Sequence, residues 1–78
     1  MLFLIEYDRD RGQLVSLKEF DNSERQKADD TRLELELELN RQGIEREVVI
    51  LEANSKEALR RTHRRYFEDL TELLNSAA

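Results

Sequence analysis

Two runs of consecutive apolar residues, Leu2-Phe3-Leu4-Ile5 and Val48-Val49-Ile50-Leu51, set the terms on which this chain can fold. Successive side chains of a strand point to opposite faces, so a strand that is apolar at every position asks for cover on both. A chain of 78 residues makes one small domain, with few other residues from which to build a core. Both faces of its sheet must be covered, either by its own helices or by another copy of itself.

Residues 2–7 read as the first strand and 14–20 as the second. Asp8-Arg9-Asp10-Arg11-Gly12 lies between them with turn chemistry, Gly12 being free to take a positive φ, and so short a connection makes an antiparallel hairpin. Asp8, Asp10 and Glu19 do not have calcium-loop spacing, because Gly12 is misplaced for it and the segment after it is strand-like. Asp21-Asn22-Ser23-Glu24 and Ser23-Glu24-Arg25-Gln26 are overlapping capping boxes, with Phe20 placed as a hydrophobic staple, and they start a helix.

The alternating stretch Leu33-Glu34-Leu35-Glu36-Leu37-Glu38-Leu39 has the pattern of a strand. As a strand it would pair with 44–51 around Asn40–Gly43 and give ββαββα. Composition argues for a helix instead. Leu and Glu are strong helix formers and Glu is a poor strand residue. A helix that stopped near Arg32 would have Ala28 alone to anchor it, and Gly43 stands where a C-cap belongs. The reading is one helix over about 23–41. At about 100° per residue, Leu33 and Leu37 then fall opposite Leu35 and Leu39, so this helix too needs cover on two sides.

Residues 45–52 form the third strand. Asn54-Ser55-Lys56-Glu57 is a further capping box, opening a second helix that runs to about Leu74, with 75–78 frayed. The order ββαβα, with a right-handed crossover leaving room for the first strand, gives an α+β fold: a three-stranded antiparallel sheet of order 2-1-3 with two helices. This is half of a ferredoxin-like unit plus a terminal helix, a single domain over 1–78 with its ordered core at about 2–74.

Composition removes several functions. Without cysteine there is no zinc finger, iron–sulfur site, disulfide scaffold or thiol catalysis, and two glycines cannot make a glycine-rich phosphate loop. The net charge of −5 argues against general affinity for nucleic acid. The first apolar run is too short for a signal-peptide core and nothing later approaches a membrane span, so the expectation is a cytoplasmic protein with no membrane partner.

One stretch departs from the acidic average. Residues 55–66 hold Lys56, Arg60, Arg61, Arg64 and Arg65 against Glu57, a local +4 that leaves −9 for the rest of the chain. On a helix running to Leu74, Leu59, Tyr66, Leu70 and Leu73 form an apolar stripe and the four arginines lie opposite. Glu57–Arg61, Arg64–Glu68 and Arg65–Asp69 are i,i+4 pairs, so a solvated, internally neutralised face is the simpler reading. The alternative is an anion or acidic-partner site centred on Arg60 and Arg64, with Arg61 and Arg65 beside them.

His63 falls on the apolar arc, where burial favours neutral imidazole and makes it a pH-sensitive packing residue. No second histidine and no cysteine could complete a transition-metal site with it, and no nucleophile-elbow pattern surrounds Ser16, Ser23 or Ser55. Phe3, Tyr7 and Phe20 read as core rather than as a base-stacking platform. No catalytic residue, metal or cofactor is assigned. The expectation is a non-enzymatic module for protein interaction or oligomerisation, acting as a homodimer; the alternative is a small regulatory or nucleic-acid-associated protein that binds anions through Arg60, Arg61, Arg64 and Arg65.

The segment Val48–Ala53, followed by Ala58-Leu59-Arg60-Arg61-Thr62-His63-Arg64-Arg65-Tyr66-Phe67, resembles the ending of a group of small bacterial proteins without an assigned activity. Their opening is similar to the Glu6-Tyr7-Asp8-Arg9 and Gly12-Gln13-Leu14-Val15 hairpin. The resemblance implies a bacterial cytosolic protein and carries over no catalytic residue.

Overall fold

A computed structural model describes residues 1–68. Three strands form one antiparallel sheet: β1 (Leu2–Asp8), β2 (Gln13–Phe20) and β3 (Glu47–Glu52), in the order β2-β1-β3. Helix α1 (Arg25–Gln42) connects β2 to β3, and helix α2 (Lys56–Thr62) follows β3. The α+β fold and its 2-1-3 order are those that the residue pattern predicts.

The central strand explains the arrangement. Leu2 to Tyr7 are all buried, with Phe3 and Ile5 at 0% exposure. Phe3, Ile5 and Tyr7 share one face with Leu17, Val49, Leu51, Leu59 and Tyr66. Leu2 and Leu4 share the other with Phe20, Ala28, Val48 and Ile50. Each fully buried side chain contributes about 1.5–3 kcal/mol, so β1 is the largest single block of the core. Ala28 of α1 covers the second face and Leu59 and Tyr66 cover the first. The chain meets its demand for cover with one helix on each side.

Local chemistry fixes the boundaries. Asp8 Oδ1 accepts from the Asp10 and Arg11 amides (3.0 and 3.1 Å), and Gly12 takes φ 65°, which closes the hairpin as a turn. The register slips between Glu6↔Ser16 and Tyr7↔Leu14, leaving Val15 as an extra residue on β2. This β-bulge has no clear signal in the sequence. Of the two overlapping capping boxes, the structure uses Asp21–Glu24: the Glu24 carboxylate accepts from the Asp21 amide at 2.9 Å, and a 3-10 turn (Asn22–Glu24) leads into α1. The alternating leucine stretch is helical throughout, so the ββαββα alternative is set aside. Gly43 ends α1 at φ 70°, with Ile44 N–H reaching Leu39 O (2.9 Å) and Gly43 N–H reaching Asn40 O (3.1 Å).

Two expectations about α2 are corrected. Its N-cap is Ser55, whose hydroxyl accepts from the Ala58 amide at 3.0 Å, and not Asn54. The helix ends at Thr62 instead of running to Leu74. His63 leaves helical geometry (φ −128°, ψ 52°) and a 3-10 turn, Arg64–Tyr66, follows. The expectations on Asp69, Leu70, Leu73, Leu74 and the frayed end lie outside the described residues. No helix among the described residues is long and apolar enough to cross a membrane.

Candidate functional site

The break at His63 removes Arg65 from the arginine face that a continuous helix would have presented. Arg60 and Arg61 stay on α2, while Arg64 and Arg65 belong to the turn. Arg65 swings onto the sheet: its guanidinium donates to both carboxylate oxygens of Glu47 (3.0 and 2.8 Å) and to the Tyr66 hydroxyl (2.6 Å). It lies over the Tyr66 ring at 4.2 Å and within 5.9 Å of the Tyr7 ring, and the two tyrosines meet edge to face at 5.2 Å. Burial alone would raise the Glu47 pKa, but hydrogen bonds from Tyr66 and Arg65 and the charge of Arg65 outweigh it and hold the carboxyl below its ordinary value. Desolvation, then the hydrogen bond with Glu47, pushes the Tyr66 phenol up. Arg65 thus fastens the turn to β3.

The other arginines differ from it. Arg64 makes the expected pair with Glu68 (3.2 Å), and Arg60 stands over the Phe67 ring at 5.3 Å. The expected Glu57–Arg61 pair is not formed among the described residues; Arg65 has an acid on β3, and its expected partner Asp69 lies outside the described residues. Arg60, Arg61 and Arg64 border a shallow concavity together with Glu57. His63 is half-buried, with Nδ1 2.9 Å from the Thr62 hydroxyl and its ring 6.4 Å from that of Tyr66. Phe3 and Tyr7 are buried on one sheet face and Phe20 on the other, so they build core and no open aromatic platform.

A second charged group went unassigned in the sequence. Glu6 is only 8% exposed, on the face covered by α1. Arg46 Nη1 donates to it at 2.6 Å and the Ser16 hydroxyl at 3.3 Å, and Arg46 Nε stands 4.0 Å from Asp8. A carboxylate in a strand that is apolar on both sides needs a buried cation, and that requirement was the available signal. Which cation answers depends on a contact 40 residues away.

No protein-family model matches the chain, and no curated protein or solved structure matches it either.

Among the described residues, the two most exposed leucines belong to α1. Leu35 and Leu39 are half-buried towards the sheet, while Leu33 and Leu37 are 55% and 52% exposed on the opposite side. They stand one turn apart and Ile44 follows them, 37% exposed. The segment around them, residues 29–38, carries Asp29, Asp30, Glu34, Glu36 and Glu38 against Arg32; Glu36 pairs with Arg32 (3.8 Å) and Glu38 with Arg41 (3.1 Å). The outward face of α1 is thus a leucine pair set among carboxylates.

Proposed function

We propose that this protein is an interaction module that works by binding another protein rather than by transforming a substrate. The leucine pair on the outer face of α1 carries the reading. A helix of this fold needs one apolar side, and Ala28, Leu35 and Leu39 supply it; Leu33 and Leu37 contribute little to the monomer and expose apolar surface to water. The carboxylates around them select the partner. A second copy laid on this face would set acids against acids, whereas an apolar surface rimmed by Lys and Arg is complementary. The arginine cluster offers less to a ligand, since Arg65 and Arg64 are paired with the protein's own acids.

An amphipathic 18-residue peptide of Leu and Lys, titrated by calorimetry, tests this. The wild type should bind it in the micromolar range, about −8 kcal/mol, with affinity that falls as salt is added. Leu33→Ser/Leu37→Ser should lose the binding by at least about tenfold while melting within about 0.5 kcal/mol of wild type. A matching Leu/Glu peptide should not bind. Equal binding of the peptide by the double variant would refute the reading.

A further inference from the structure

We infer that β3 is a docking edge for a second copy of this chain, the two β3 strands pairing antiparallel about Val49 to join two sheets into one of six strands. The two outer strands of the sheet are not alike. β2 carries a bulge at Val15 and the charges of Lys18 and Glu19, devices that keep an edge from pairing. β3 runs Glu47-Val48-Val49-Ile50-Leu51-Glu52 with no charge, proline or bulge between its ends.

The hydrogen-bond parity of the ladder shows what this edge presents. The Met1 nitrogen donates to Ala53 O (3.0 Å) and Ala53 N–H to Met1 O (3.1 Å), so this pair exchanges both bonds. In an antiparallel ladder such pairs recur at every second residue. Given the register Phe3↔Leu51, Ile5↔Val49 and Tyr7↔Glu47, the odd-numbered residues of β3 bond to β1. The N–H and C=O groups of Val48, Ile50 and Glu52 point outward, and among the described residues they make no backbone bond to another element.

Parity and charge together choose the partner and the register. Only outward groups can bond to one another, so even-numbered residues must face even-numbered residues across a two-fold axis. That rules out every register that would oppose Glu47 and Glu52. Pairing about Val49 puts Val48 opposite Ile50 twice and sets Glu52 opposite Arg46, the residue just before β3, whose guanidinium also holds Glu6 and Asp8. Pairing about Ile50 would instead set the Glu52 carboxylate against Val48, without a cation. Pairing about Val48 would set Glu52 against Ile44, so the register about Val49 is the one that gives Glu52 a cation.

The helices fit this assembly. The two-fold axis stands perpendicular to the sheet, so both copies of α1 lie on the same face. Each α1 packs across β1 and β3. With strands about 4.8 Å apart, the two helix axes come roughly 10 Å from each other, the spacing of packed helices. Leu33 and Leu37, on the far side of α1 from the sheet, stay free, and the dimer would display two such faces side by side.

Sedimentation velocity on the whole chain, with amide exchange by NMR, tests the inference. The expected result is a concentration-dependent dimer in which the amides of Val48, Ile50 and Glu52 slow as dimer forms, while those of Val49 and Leu51 are protected in monomer and dimer alike. Val48→Pro removes an outward N–H and leaves the β1–β3 bonds, so it should give a folded monomer. Glu52→Arg, which faces Arg46 with a like charge, should weaken association at least about tenfold. A wild type that stays monomeric up to about 1 mM overturns the inference. So does a dimer whose Val48, Ile50 and Glu52 amides exchange as fast as in the monomer, or one that Glu52→Arg leaves unchanged. A dimer lost only in Leu33→Ser/Leu37→Ser would place the contact on α1, overturning the edge pairing. Failure of the peptide titration alone would leave the edge pairing standing.

Discussion

The Glu6–Arg46 pair gives the sharpest test of how the sheet is held together. Arg46→Met removes the cation and leaves the Glu6 carboxylate under α1 with Ser16 as its remaining side-chain partner. Breaking a buried pair from one side costs about 3–5 kcal/mol, because the stranded charge keeps its desolvation penalty. The side chains are 10% and 22% exposed, which sets the expectation near the low end, about 3 kcal/mol. A domain of this size has a total of only about 4–12 kcal/mol, so the loss should lower its melting temperature by roughly 12–24 °C. Glu6→Leu should cost less, about 1 kcal/mol, since Arg46 retains Asp8 at 4.0 Å and some access to water. The double variant Glu6→Leu/Arg46→Met should cost only about 1 kcal/mol, a coupling of about 3 kcal/mol. Urea unfolding followed by circular dichroism measures all three. If Arg46→Met lies within about 0.5 kcal/mol of wild type, or the double variant equals the sum of the singles, the pair is not a buried one in the sense argued.

Two further outcomes are expected. Gly43→Ala should destabilise by about 1–2 kcal/mol in urea although no atom lies within 4 Å of the added Cβ, because the cost is the left-handed backbone itself; Gly43→Asn should cost less. Glu47 is held below the ordinary carboxylate value of about 4.3, so its contribution is whole above that pH and fades as pH falls through its lower folded value. Arg65→Gln should therefore cost about 1 kcal/mol at neutral pH and flatten stability against pH on the acid side, whereas Arg61→Gln should do neither.

Much of the fold was legible because local signals agreed with long-range ones. The unbroken apolar run of β1 marked a strand covered on both faces, and the αL glycine at 43 marked the end of α1. The Leu33–Leu39 segment was ambiguous by periodicity, and helix propensity decided it correctly. The end of α2 was not legible. No glycine or proline announces it, and the apolar stripe continues past it. The break accompanies the capture of Arg65 by Glu47, a residue on another element 18 positions earlier, which no local window contains. For the same reason the arginine face looked like one feature: helical spacing places four side chains together only while the helix lasts. The Glu6–Arg46 pair escaped notice because a buried acid announces a need for a cation without saying which one.

The strand that comes first in the chain is the middle strand of the sheet, and this orders the events of folding. β1 finds β2 across a four-residue turn within microseconds, but a two-stranded hairpin in water is marginal on its own. Half of what β1 needs is supplied by β3, whose pairing Leu2↔Glu52 joins residues 50 positions apart. That closure is a non-local step, and its entropy must be met before any of its contacts form. Until β3 arrives, the most apolar segment of the protein is left with one side open. The last strand to dock is therefore the one that commits the chain, and substitutions within β3 should slow folding more than equally destabilising ones in the hairpin turn.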